Sequence, residues 1–129
     1  MIIACATDDG KFFISRHFGD AKYYYIFKFE KGVFNHMDTV VNTTEGEERH
    51  ADPLKAKGIT ELLKEKNVDV IITKRFGPNI KRIKKHFVPV LVSVDDLESG
   101  LLKLVESLES VNASLALGVD RQHVDLRRM

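Results

Sequence analysis

The pattern of apolar and polar positions predicts a chain that begins with three strands. Residues 1–6 are an uninterrupted apolar run, which is typical of a strand buried on both faces and central in its sheet. A second strand, rich in aromatic side chains, is predicted at 23–29, and a third at 33–41. The Lys31-Gly32 turn joins the last two, so the first 41 residues should form an antiparallel meander.

The remainder of the chain alternates helices with strands. Helical spacing of apolar residues predicts a helix at 54–66, which precedes a strand at 68–73. A second helix should open at Gly77-Pro78-Asn79 and lead to a strand at 88–92. A third helix is predicted from Leu97 to about Leu108.

These elements define one α/β fold. Strands that run parallel need crossover connections, and right-handed crossovers place the fourth strand beside the first and the fifth outside it. The prediction is therefore a five-stranded mixed sheet in the order 3-2-1-4-5, with strand 2 antiparallel and flanking helices. Residues 1–108 form the predicted domain. Residues 109–129 form a C-terminal extension, in which 113–119 adds a short strand or helical turn and 120–129 is partly mobile.

Length, charge and cysteine content narrow the function classes. No apolar run approaches the roughly 20 residues of a membrane span, and no signal-peptide pattern precedes the first strand, which predicts a cytoplasmic protein. The net charge of +1 indicates neither a nucleic-acid nor a membrane partner. Cys5 is the only cysteine, so one chain alone cannot build a disulfide or a thiolate cluster.

The predicted topology gathers unusual residues at one edge of the sheet, where open α/β sheets bind ligands. This edge collects the carboxyl ends of strands 1, 3, 4 and 5 and the segment that enters strand 2. His17 lies on that segment and His50 on the polar loop at 42–53. Neutral imidazole suits iron, zinc, copper and nickel, and Gly19 would let a bulky ligand approach the backbone.

A second candidate feature is the amino terminus of the helix that follows Gly77, Pro78 and Asn79. Its backbone amides could hold a carboxylate, a phosphate or an anionic cluster, with Lys74 and Arg75 adding positive potential. Each feature also has a structural interpretation. A single loop histidine most often has a surface or capping role, and Asp8 and Asp9, which precede Gly10, favour a turn over catalysis.

One family resemblance rests on these motifs together. The segment Ser15-Arg16-His17-Phe18-Gly19, the aromatic strand after it, the apolar segment at 68–72 and the later Gly77-Pro78-Asn79 resemble the dinitrogenase iron-molybdenum cofactor-binding family. The S-x-H-F-G segment is the strongest match, and the motif order agrees from Met1 to about Leu108. The acidic stretch at 45–52 differs from the small, glycine-rich segment that the family often has there.

The resemblance implies a ribonuclease H-like motif fold and a role in handling an iron-molybdenum cofactor or an iron-sulfur cluster precursor. It implies that His17 is the metal ligand and that Ser15, Phe18 and Gly19 shape its loop. We expect a noncatalytic carrier rather than an enzyme, with His50 and the Gly77-Pro78-Asn79 amides as further contacts. Its partners would be the metallocofactor and the cofactor's donor or acceptor proteins, and a homodimer could share ligation.

Two alternatives remain open. The first is a small-molecule or protein-interaction module without metal, which would use the acidic loop and the basic tail as contact surfaces. The second is a magnesium-dependent nuclease, which the name of the fold suggests and which needs clustered carboxylates. The second ranks below the first, because the sequence places only Asp8 and Asp9 near the predicted edge without using the loop at 42–53.

Overall fold

The computed structural model of the protein describes residues 1–44 and 53–128, and its central element is a six-stranded mixed sheet. The strands are β1 (Ile2–Thr7), β2 (Tyr23–Glu30), β3 (Val33–Val41), β4 (Val70–Thr73), β5 (Val88–Leu91) and β6 (Val124–Asp125). Their order is β3-β2-β1-β4-β5-β6. Strand β2 runs antiparallel to both of its neighbours, whereas the remaining adjacent pairs are parallel.

Four α-helices connect the strands or follow them. They are α1 (Pro53–Lys64), α2 (Ile80–Ile83), α3 (Leu97–Glu106) and α4 (Leu108–Ala116). Asp96 caps α3, because its carboxylate accepts a hydrogen bond from the amide of Ser99 at 2.9 Å. None of the helices in the described residues is long and apolar enough to cross a bilayer.

The sheet is covered on both faces, which explains the uninterrupted apolar run at the start of the chain. Ala4 and Ala6 of β1 belong to the core cluster that contains the buried residues of α1 and α2. Ile3 and Cys5 belong to a second cluster, which contains the buried residues of α3 and α4. All four side chains are fully buried, so alternate residues of one strand serve two cores.

The observed fold confirms the predicted strand order and the antiparallel strand 2, and it adds a sixth strand. The helix predicted to reach about Leu108 ends at Glu106, because Ser107 leaves helical geometry, and α4 begins at Leu108. Downstream, the amide of Leu126 donates to the carbonyl of Leu91 at 2.8 Å and holds β6 against β5. The C-terminal extension therefore contributes both a helix and an edge strand to the fold.

The second helix is shorter than its apolar pattern predicts. Helix α2 covers only four residues, and hydrogen-bonded turns continue the chain to His86. Ile83 and Phe87 are nevertheless buried, as the pattern requires. Their burial depends on the tertiary contact rather than on a continuous helix.

Candidate functional site

The register of the strands places three segment ends at one edge of the sheet. Thr7, the last residue of β1, pairs with Tyr23, the first residue of β2, and Tyr23 pairs with Val41, the last residue of β3. Strands β4 and β5 end at the same edge because both are parallel to β1. The convergence predicted from topology is therefore present in the structure.

The histidine segment and the glycine-proline-asparagine segment meet at this edge. The amide of Phe18 donates to the carbonyl of Arg75 at 2.9 Å. The half-buried ring of His17 lies against the backbone of Gly77, where an added Cβ would stand 2.6 Å from the Nδ1 atom of His17. Only glycine leaves room for the imidazole at this point.

Phe18 anchors the segment in the core rather than presenting its ring to a ligand. Its side chain is 1% exposed and packs between Tyr24 and Phe76, with ring centroids 4.9 and 5.6 Å away. The hydroxyl of Tyr24 donates to the carbonyl of Phe18 at 2.9 Å. Burial, with a smaller contribution from the charge of Asp20, raises the pKa of Tyr24, so the phenol stays protonated as a donor.

Asn42 fixes the carbonyl groups that follow the histidine. Its side-chain amide donates to Gly19 at 2.9 Å and to Ala21 at 2.8 Å. The residue stands immediately after β3, so the end of the third strand determines the path of the loop before the second. The sequence places Asn42 at this edge, but its two backbone acceptors are visible only in the structure.

The two carboxylates after β1 are engaged in local structure. Asp8 accepts hydrogen bonds from the guanidinium of Arg16 at 2.9 and 3.0 Å and from the amide of Lys22 at 2.9 Å. Partial burial raises the pKa of Asp8, but the hydrogen bonds from Lys22 and Arg16 outweigh it and hold the pKa below its usual value. Asp9 accepts from the amides of Lys11 and Phe12, which confirms the turn interpretation.

Gly19 has a packing role that differs from the expected one. An added Cβ would stand 2.8 Å from Cδ1 of Ile59 and 3.3 Å from Cε of Lys55, both on α1. The side chain of Lys55, only 5% exposed, forms an ion pair with Asp20 at 2.9 Å. The space beside Gly19, which was expected to admit a ligand, is thus filled by side chains of α1.

The expected anion-binding helix terminus is not formed as predicted. Helix α2 spans one turn, and the amides of Ile80, Lys81 and Arg82 donate to the carbonyls of Gly77, Pro78 and Asn79. An aligned helix dipole is correspondingly small, because few peptide units contribute to it. Lys74 also pairs with Asp95 at 2.6 Å, which reduces the positive potential of this segment.

One polar group near the site was not predicted from the sequence. Thr73 ends β4, directly before the loop that carries Gly77, and its hydroxyl is buried with no hydrogen-bond partner in the described part of the chain. Buried hydroxyls are rarely left unpaired in proteins. The available signal was a threonine at the end of the apolar run Val70-Ile71-Ile72.

The remaining predicted site residues are Ser15, Pro78, Asn79 and His50. Ser15 is exposed, Pro78 is half-buried and Asn79 is buried, and both Pro78 and Asn79 belong to the turn before α2. His50 lies outside the described residues. Within residues 1–44 and 53–128, no group of three or more His, Cys, Asp or Glu side chains could hold a metal ion.

Comparisons with known proteins give one family match and two structures of similar fold. The family model described as "dinitrogenase iron-molybdenum cofactor" matches residues 1–107. A crystal structure of a proposed dinitrogenase from Methanocaldococcus jannaschii is similar at 25% identity with a TM-score of 0.61, covering 83% of this chain and 89% of that one. An NMR structure of a proposed dinitrogenase from Methanococcus jannaschii is similar at 24% identity with a TM-score of 0.63, covering 84% and 89%. No curated protein gave a significant match.

Proposed function

The chain belongs to the dinitrogenase iron-molybdenum cofactor family, and on this premise we propose that it binds and carries a metallocofactor without catalysing a reaction. The cargo is an iron-molybdenum cofactor or an iron-sulfur cluster precursor. His17 is the protein ligand to a metal of that cargo. The cofactor's donor and acceptor proteins are the partners that such a carrier requires.

The observation that carries this proposal is the contact between His17 and Gly77. The imidazole of His17 is held against the backbone of Gly77 on one side. It can therefore present its other nitrogen to a large ligand while the rest of the ring stays fixed. The absent Cβ of Gly77 also leaves the backbone open to close approach. The buried hydroxyl of Thr73, at the end of β4 and directly before that loop in the chain, has no hydrogen-bond partner in the described residues.

The limited set of protein donors favours a preformed cluster over a bare ion. Structural metal ions usually take three or four side-chain ligands, and the described residues bring no such group together. A cluster carries its own inorganic donors, so one imidazole can complete it. Further ligands could come from His50 or from a second copy of the chain.

The test is anaerobic reconstitution with iron and sulfide, in parallel with loading of isolated iron-molybdenum cofactor. Wild-type protein should retain iron after desalting and show cluster absorption, whereas His17→Ala should retain at least tenfold less. His36→Ala is the matched control, because His36 lies on β3, where its ring stacks on Tyr25 with centroids 4.9 Å apart. Equal retention by wild type and His17→Ala would refute the assignment of His17.

A second measurement separates loss of a ligand from loss of the fold. Thermal unfolding of His17→Ala should stay within a few degrees of wild type, because a half-buried ring on a loop contributes little core burial. A variant that loses the cofactor and keeps its stability supports ligation by His17. A variant that unfolds should be replaced by His17→Gln, which keeps most of the side-chain volume without a metal-binding imidazole.

A further inference from the structure

The charge of the protein is distributed very unevenly between two parts of the chain. Residues 53–86, which contain α1 and α2, carry ten Lys and Arg against three Asp and Glu. Residues 93–120, which contain α3 and α4, carry one Lys against six Asp and Glu. The two helical layers pack with different core clusters on opposite faces of the sheet, so the near-zero net charge conceals one basic face.

A groove of about 360 Å³ between α1 and α2 lies within this basic part. On α1, the lining positions 57, 60, 61 and 64 follow helical spacing and therefore share one side of the helix. Arg82 and His86 line the groove from α2 and the turn after it. The lining residues are Ala56, Lys57, Thr60, Glu61, Lys64, Arg82 and His86.

Two lysines of the groove, Lys57 and Lys64, are poorly compensated by the described part of the protein. Lys55, Lys66 and Lys74, elsewhere in the same part of the chain, each form an ion pair. Lys57 and Lys64 form none with any carboxylate of the described residues, and Glu61 is the only acidic side chain among the lining residues. Like charges held close together destabilise a fold unless a counter-charge is present.

His86 lies among the same positive charges on the other side of the groove. Burial lowers the pKa of His86, and the charges of Lys64, Arg121 and Lys85 lower it further. Arg121 is held nearby because its guanidinium donates to the carbonyl of Lys85 at 2.7 Å. A bound anion would reverse these repulsions, since an opposite charge favours the protonated imidazole.

We propose that the groove between α1 and α2 binds a compact polyanion that carries two or more phosphate groups. The planar guanidinium of Arg82 matches a phosphate oxygen pair, while Lys57 and Lys64 add point charges. The volume suits a small ligand. Among the described lining residues His86 is the only aromatic ring, which disfavours a ligand that depends on base stacking.

The test is calorimetric titration with inorganic pyrophosphate at low ionic strength. Wild-type protein should bind pyrophosphate at one site per chain and at least tenfold more tightly than inorganic monophosphate, because a second phosphate group adds further contacts with the cations that line the groove. Lys64→Gln and Arg82→Gln should each weaken binding by about tenfold or more. Citrate, a polycarboxylate of similar charge, should bind more weakly than pyrophosphate; equal affinity would replace the phosphate class by a polycarboxylate one and overturn the proposal as stated.

Lys84→Gln is the matched control, because it removes one positive charge from the same basic part of the chain, residues 53–86, at a position that does not line the groove. It should change the affinity less than twofold. Equal losses in all three variants would show a diffuse charge effect, and undetectable binding by wild type at millimolar pyrophosphate would show no site; either result overturns the proposal. His17→Ala should bind pyrophosphate as wild type does, so this test stands apart from that of the cofactor site.

Discussion

Gly77→Ala is the substitution that tests the geometry of the candidate site most directly, because it leaves His17 in the chain and changes only its surroundings. The new Cβ would stand 2.6 Å from Nδ1, 3.0 Å from Cγ and 3.2 Å from Cε1 of that ring. Ordinary van der Waals contact begins near 3.4 Å, so the ring must move by about 0.8 Å at its nearest atom. Overpacking of this kind typically costs about 1–3 kcal/mol.

The length of a metal–imidazole bond varies by only about 0.2 Å between sites. A displacement of the ring by about 0.8 Å exceeds this tolerance. Gly77→Ala should therefore retain about tenfold less cofactor than wild type in the anaerobic loading assay, a loss equivalent to about 1.4 kcal/mol. Thermal unfolding measured on the same samples should show a lower unfolding temperature than wild type and a transition that is still cooperative.

Gly58→Ala is the matched control for this experiment. It adds a Cβ with a comparably close neighbour, 2.9 Å from Cγ2 of Thr44, but the residue lies on α1 and its new side chain would meet Thr44 rather than His17. It should keep cofactor retention while shifting stability slightly, since alanine also has the higher helix propensity. Normal retention in Gly77→Ala together with its loss in His17→Ala would refute the idea that the Gly77 contact positions the imidazole.

Three further predictions concern the residues around the site. Thr73→Val should raise the free energy of unfolding by about 1 kcal/mol, because it removes a buried hydroxyl that has no hydrogen-bond partner in the described residues. Thr7→Val should lower it by about 1–3 kcal/mol, because the hydroxyl of Thr7 is hydrogen-bonded. Urea unfolding of both variants checks the opposite signs, and a loss of stability in Thr73→Val would contradict the prediction for Thr73. Tyr24→Phe should lower stability by about 1–3 kcal/mol, since the buried carbonyl of Phe18 loses its 2.9 Å hydrogen bond from the phenol and keeps only the 3.5 Å bond from the amide of Ala21. Tyr23→Phe, at the start of the same strand, should have little effect in the same assay. Wild type should have a larger free energy of unfolding than Asp8→Asn, and the difference should be fully present above pH 3.8, the ordinary pKa of the carboxyl. The difference should shrink as the pH falls through the lowered pKa of Asp8 in the folded state. A difference that stays constant down to pH 2 in urea unfolding would contradict this linkage.

The sheet could be predicted from the sequence because its signals are local. The apolar run at 1–6 requires cover on both faces, and the Lys31-Gly32 turn fixes the antiparallel neighbour. Handedness of the crossovers then leaves one place for β4. Strand β6 lacks such a signal, because it consists of two residues, and only its pairing with β5 makes it a strand.

The candidate site was less predictable, because its residues acquire their roles from partners that are distant in sequence. The S-x-H-F-G segment indicates His17, but nothing local reveals that Gly77, sixty residues later, bounds the imidazole. At Gly19 the sequence and the structure indicate different roles. A glycine beside a histidine favours a ligand approach, yet here the residue makes room for α1.

The loop that carries His17 is held from four elements at once, and this bears on how a carrier could work. Tyr24 of β2 and Asn42 after β3 bind its carbonyls, the Arg75 carbonyl binds its amide, and Lys55 of α1 pairs with Asp20. A loop ordered in this way has already lost its conformational entropy on folding, so cofactor binding need not order it again. Weakening any of these four contacts should therefore reduce cofactor affinity even when the imidazole itself is unchanged.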